Sequence, residues 1–160
     1  MSKVSIGFSS PKKFKIGAEI IKLWMGTSYS HVYLKVYSAY TKQFLIYQAS
    51  HGTVHLLTAA SFEQNNVVVA EFDMSVQEPL LRNCLAVAQQ LLGRPYGYLG
   101  LLKLGLHKLI NWPKVGDGDS SFHCSELIAR LFPELCENLA QDFVEPVDLY
   151  SSLTKRQSVI

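Results

Sequence analysis

The stretch HVYLKVYSAYTKQFLIYQASHGTVHLLTAASFEQNNVVVAEF, residues 31–72, decides the fold. Within it HVYLKVY (31–37), FLIYQAS (44–50), GTVHLL (52–57) and NVVVAEF (66–72) are short β-branched or aromatic runs parted by polar turns, a pattern that predicts an antiparallel meander. Upstream, VSIGF (4–8) reads as a further strand. PKKFKIGAEIIKLWMG (11–26) reads as a helix closed by Gly26, with Phe14, Ile16, Ile20, Ile21 and Leu23 or Trp24 near helical spacing. Downstream, EPLLRNCLAVAQQLLG (78–93) puts Leu81, Cys84, Leu85, Ala88, Leu91 and Leu92 on one helical face. SSFHCSELIARLF (120–132) begins a helix behind the turn PKVGDGDSS, and EPVDLYSSL (145–153) opens a last one with Pro146 in its first turn. The expected class is α+β, an antiparallel sheet packed against helices.

With 160 residues, 48% apolar and 18% charged, the chain has enough apolar surface for one core, and a single domain over residues 1–160 is expected. No apolar run reaches the ~18 residues of a membrane span. Lys12, Lys13 and Lys15 interrupt the first residues where a secretory signal would be unbroken, so the expected location is cytoplasmic, with export by another route as the alternative. Cys84, Cys124 and Cys136 are an odd set, too few for a disulfide scaffold, and read as reduced thiols. Charge alternates along the chain. Residues 1–42 hold seven Lys and one Glu, 43–78 four acids and no base, 79–116 five bases and no acid, and 117–160 eight acids against three bases. No Lys/Arg-dense cluster or nucleic-acid motif is present; an anionic substrate or a membrane surface fits better.

Cys124 falls in the first turn of a predicted helix, where unpaired N–H groups and the helix dipole favour a thiolate and form an oxyanion hole. His31 opens a strand after the Gly26-Thr27-Ser28 break and shares its polar face with Tyr33 and Lys35, opposite Val32, Leu34 and Val36. Gln48 is the uncharged polar residue inside FLIYQAS. If strands 31–37 and 44–50 turn near Ala39 and Tyr40, His31 faces Gln48 directly, and the amide orients the ring.

These residues together resemble the circularly permuted branch of the NlpC-like papain-fold hydrolases. SYSHVYL (28–34) looks like the family's histidine strand and YQASHGTVHL (47–56) like its next strand. GRPYGYLGL (93–101) is similar to its Gly-x-Pro-Tyr segment, FHCSELI (122–128) to its nucleophile helix and VEPVDLYSS (144–152) to its closing segment. The resemblance implies a papain-like, circularly permuted fold with the nucleophile at a helix N-terminus. Cys124 would be the nucleophile, His31 the general base and then acid, and Gln48 the residue that orients His31. Tyr96 matches the family tyrosine that donates to the substrate carbonyl or walls the pocket. Gln48 departs from the carboxylate or histidine often found third. The implied activity is cysteine hydrolysis of an amide, as in a bacterial or phage cell-wall peptide, with no cofactor. Related lecithin:retinol acyltransferase-like enzymes imply a lipid-acyl or thioester substrate as the alternative, with the leucine-rich segment 98–112 as a membrane-facing lid. A binding module without catalysis is the third.

His123, beside Cys124, is expected at the pocket edge as a substrate-binding or oxyanion residue. His51 and His55, four apart on one strand face, do not make a zinc set, which needs three or four ligands at recognisable spacing; no metal is expected. Asp117 and Asp119 read as turn residues, and Glu126 as solvent-facing or structural.

Overall fold

A computed structural model describes residues 4–97, 123–136 and 144–157. The leucine-rich segment 98–112, the Asp117/Asp119 turn and the first three residues, 120–122, of the predicted helix run 120–132 lie outside the described residues. In chain order the elements are β1 (Val4–Pro11), α1 (Ile16–Met25), β2 (His31–Ser38), β3 (Gln43–Ser50), β4 (Thr53–Thr58), α2 (Ala59–Asn65), β5 (Asn66–Met74), α3 (Glu78–Leu91), α4 (Cys124–Leu131), a 3-10 turn (Pro133–Leu135) and α5 (Pro146–Gln157). The class is α+β, with one five-stranded sheet ordered β4-β3-β2-β1-β5 and every described pairing antiparallel.

The meander holds only for β2, β3 and β4. β5 does not pair with β4; it crosses to the far edge and pairs with β1 from Val4↔Met74 to Pro11↔Asn66. The crossing runs through α2, a helix absent from the sequence reading. Thr58 caps it by accepting from the Ser61 N–H at 3.2 Å, and Phe62 is its one buried residue. Seven residues with one apolar anchor are too few for a periodicity to register. Pairing with β5 also holds β1 extended to Pro11, so α1 starts at Ile16 and not at Pro11. Gly26, with φ 62°, closes α1 in the left-handed region.

Side chains alternate across the sheet, and both faces are covered. On one side Val4, Ile6, Phe8, Val32, Leu34, Tyr47 and Ala49 pack against Leu127, Ile128 and Leu131 of α4, Leu149 and Leu153 of α5, and Leu81, Cys84 and Ala88 of α3. On the other, Tyr33 and Ile46 pack with Phe62 of α2. Each fully buried aliphatic or Phe side chain contributes about 1.5–3 kcal/mol. Tyr150 of α5 joins Phe8, Tyr29 and Phe72 in an aromatic cluster with ring centroids 5.0–5.7 Å apart, fixing the closing helix to β1 and β5.

The smaller core depends on a missing side chain. Gly7 lies opposite Tyr33 in the β1–β2 register, and a Cβ there would meet the Tyr33 ring at 2.1 Å. Tyr33 uses that space and donates to Glu71 Oε1 at 2.7 Å, to which Lys35 Nζ also donates at 3.0 Å. Gly7→Ala is therefore expected to destabilise the protein by about 1–3 kcal/mol through overpacking. Urea unfolding midpoints of the two proteins check this, and Gly7→Ala combined with Tyr33→Phe should not recover the loss, because the clash is with the ring.

Candidate active site

β2 and β3 pair as Leu34↔Tyr47, Lys35↔Ile46 and onward to Ser38↔Gln43. The turn is the four residues Ala39 to Lys42, with Lys42 at φ 54° and the Thr41 N–H bonded to Ser38 Oγ at 3.2 Å. It is thus centred one residue later than the sequence reading placed it, and the register differs by two. Continued, this register sets Tyr33 opposite Gln48 and leaves His31 on the diagonal. A slip of two keeps every side chain on its face, so His31 and Gln48 still meet: Nε2 of His31 and Oε1 of Gln48 are 2.6 Å apart.

Both open into a cavity of about 360 Å3, whose described lining also includes Lys15 and Ile21, His51 and Tyr96. Tyr96 arrives there because residues 93–96 run beside the start of β4. The Gly93 N–H donates to the Val54 carbonyl, the Val54 N–H to the Arg94 carbonyl and the Tyr96 N–H to the Gly52 carbonyl, each at 2.8 Å. The structure therefore gathers three of the five site candidates, His31, Gln48 and Tyr96, around one hollow.

Cys124 is the first residue of α4, as the sequence indicated, but it is buried in the helical-side core and is not among the described residues lining the cavity. Its sulfur approaches β2 at backbone level. The N–H groups of Val32, Ser125 and Cys124 itself act on it, and Val32 immediately follows His31. Those donors favour a thiolate, yet burial outweighs them and pushes the thiol up from its ordinary value. The sequence reading expected the helix terminus to lower it, so the direction is reversed. Burial likewise pushes His31 down to about 4, against the bond from Gln48, with His51, His55 and Lys15 adding repulsion. At neutral pH Cys124 is thus a thiol and His31 a neutral imidazole.

His123, expected at the pocket edge, is instead buried as the N-cap of α4. Its Nδ1 lies 3.0 Å from Glu126 Oε2 and its Nε2 3.2 Å from the Val144 carbonyl, while its own N–H donates to Glu126 Oε2 at 3.4 Å. Glu126 is buried too and faces the helix start, so its role is structural and it does not face solvent. Ser125 Oγ donates to the same Val144 carbonyl at 2.6 Å. These bonds hold the N-terminus of α4, and hence Cys124, against the segment that leads into α5.

Two histidines flank the site that sequence reasoning had set aside. His51 and Gly52, at φ 49° and 93°, form the two-residue turn between β3 and β4, so His51 does not share a strand face with His55. Lys15 Nζ donates to His51 Nε2 at 3.0 Å. His55 stands directly opposite Gln48 in the β3–β4 register. A two-residue turn at His-Gly was the signal that could have placed it. Among the described residues no group of three or more His, Cys, Asp or Glu is arranged to hold a metal ion. No family model matches the chain, and no curated protein matches it.

The folded-state depression of His31 carries a sign. Between about pH 4 and the unfolded value of 6.5 the unfolded chain binds the extra proton, so stability rises with pH through that window and the contribution is complete above it. Thermal unfolding across this range should show a steeper fall on acidification in the wild type than in His31→Gln, which removes the titrating ring.

Proposed function

We propose that the protein is a thiol hydrolase of the papain-like, circularly permuted kind that its sequence resembles, cleaving an amide bond through Cys124, His31 and Gln48. The observation that carries this reading is the 2.6 Å bond between His31 and Gln48 at the cavity, on a strand whose next residue, Val32, turns its backbone N–H to the sulfur of Cys124. Oε1 of Gln48 is an acceptor, so Nε2 of His31 carries the proton and Nδ1 carries the lone pair.

Because both partners rest uncharged, His31 acts as a general base during attack and not as one half of a preformed ion pair. Sγ of Cys124 bonds to the substrate carbonyl carbon as its proton passes to His31. Helix N-terminal N–H groups stabilise the oxyanion. His31 then gives the proton to the leaving amine, which departs as the C–N bond breaks and a thioester remains. A water molecule, deprotonated by His31, attacks the thioester and releases a carboxylic acid and the free thiol. Lys15 at the cavity, with no carboxylate among the described lining residues, suits a substrate bearing an anionic group near the scissile bond, such as a carboxylate-bearing peptide.

Iodoacetamide modification of each cysteine, followed by mass spectrometry against pH, tests the base. Cys124 should react faster than Cys84 and Cys136, with a rate nearly flat from about pH 5 to 8, since its base is already neutral above about 4. An unassisted thiol instead gains about tenfold per pH unit below its pKa. His31→Ala should lower the Cys124 rate by roughly 10²-fold. A Cys124 profile that matches the other two cysteines in both proteins defeats the reading.

A lipid-acyl substrate is the second reading, favoured by α1. This helix buries none of its residues, and Phe14, Ile16 and Leu23 are 77, 68 and 82% exposed beside Lys12, Lys13, Lys15 and Lys22. Gly17, Ala18 and Ile21 of the same helix line the cavity. Apolar side chains flanked by lysines suit the surface of an anionic bilayer. Among the described residues no helix is long and apolar enough to cross a membrane. Flotation with phosphatidylglycerol vesicles should recover the wild type and lose the Phe14→Ser/Leu23→Ser variant; equal recovery of both removes α1 from this role.

A further inference from the structure

On the face of the sheet that carries the cavity, a row of polar side chains crosses three strands. His31 Nε2 meets Gln48 Oε1 at 2.6 Å, Gln48 Nε2 meets His55 Nε2 at 3.0 Å, and His55 Nδ1 meets the backbone carbonyl of Thr53 at 3.1 Å. His55 and Gln48 are directly paired across β3 and β4. Gln48, in the middle, is buried, so an amide facing the wrong way would leave a donor opposed to a donor away from water.

The chain of bonds has one end that cannot be reversed. A backbone carbonyl only accepts, so Nδ1 of His55 must carry a proton. In the neutral ring this leaves the lone pair on Nε2. That lone pair accepts from the Gln48 amide NH2, which turns Oε1 toward His31. Oε1 in turn accepts only from an Nε2–H, which leaves the basic lone pair of His31 on Nδ1. No described residue hydrogen-bonds to that nitrogen. Without His55 the Gln48 amide has two nearly equivalent orientations, and the one that points NH2 at His31 selects the opposite tautomer.

We propose that His55 is a positioning residue for the hydrolase site: by orienting the Gln48 amide, it fixes the tautomer of His31 that keeps its base lone pair on Nδ1. Its catalytic meaning rests on the hydrolase reading above; the tautomer assignment does not. His31 is neutral at physiological pH, since burial holds it near 4, so its tautomer is the quantity that matters there.

Long-range 1H–15N correlation spectra of the imidazole rings test this directly. In the wild type His31 should show a pyrrole-type Nε2 and a pyridine-type Nδ1, and His55 the reverse. In His55→Leu the two His31 nitrogen shifts should converge as the second tautomer fills. His55→Gln, which returns an acceptor to Gln48, should keep the wild-type pattern. Cys124 alkylation should fall by roughly tenfold in His55→Leu and recover in His55→Gln, a part of the general-base effect. A wild-type His31 with its proton on Nδ1, or a His31 pattern unchanged in His55→Leu, overturns the proposal. An unreactive Cys124 with the stated tautomers in place sustains the His55 assignment and defeats the hydrolase reading. A reactive Cys124 beside a His31 in the other tautomer does the opposite.

Discussion

Side chains on successive residues of a strand point to opposite faces, and in β2 both directions lead into a core. Val32 and Leu34 enter the helical side and Tyr33 the α2 side, while the backbone pairs with β1 on one edge and β3 on the other. The strand is therefore fixed in register, tilt and face at once. Gly7 is a consequence of this constraint, since Tyr33 occupies the space of its absent side chain. His31 is another. It lies at the first position of β2, where the alternating row that holds Tyr33 reaches the cavity.

The same burial that fixes the strand sets the chemistry available. A helix N-terminus lowers the free energy of a thiolate, but moving a charge out of water costs more than a few N–H groups return. Cys124 and His31 are each driven toward their neutral forms. For the proposed hydrolase this means that nucleophilicity develops during proton transfer, and the location of the base lone pair becomes decisive. In the proposed reaction that requirement gives weight to the amide of Gln48 and to the ring beyond it.

Helix α4 illustrates how a local motif acquires a different role from its appearance. In FHCSELI the histidine adjoins the candidate nucleophile, which invites a functional role. In the fold, His123 and Glu126 bond to one another across the first turn, and His123 and Ser125 both bond the Val144 carbonyl. The polar atoms are consumed in holding the helix start in place, and that rigidity is what sets the sulfur against β2.

The strands of residues 31–72, the amphipathic face of α3 with Cys84 in the core, the helix start at Cys124 and the association of His31 with Gln48 were all legible in the sequence. Each follows from local periodicity, or from the rule that a slip of two residues preserves faces. Four features were decided only by tertiary structure. The β2–β3 register depended on a four-residue turn whose Lys42 takes a positive φ. The place of β5 depended on the short helix α2, stabilised by one buried phenylalanine. The burial of His123 depended on a carbonyl 21 residues away in the chain, and Glu126 follows it through their mutual bond. The direction in which Cys124 and His31 are shifted depended on how much water the packed helices exclude. Periodicity records which face of an element is apolar; it carries no information about what that face meets, and desolvation is a property of the meeting.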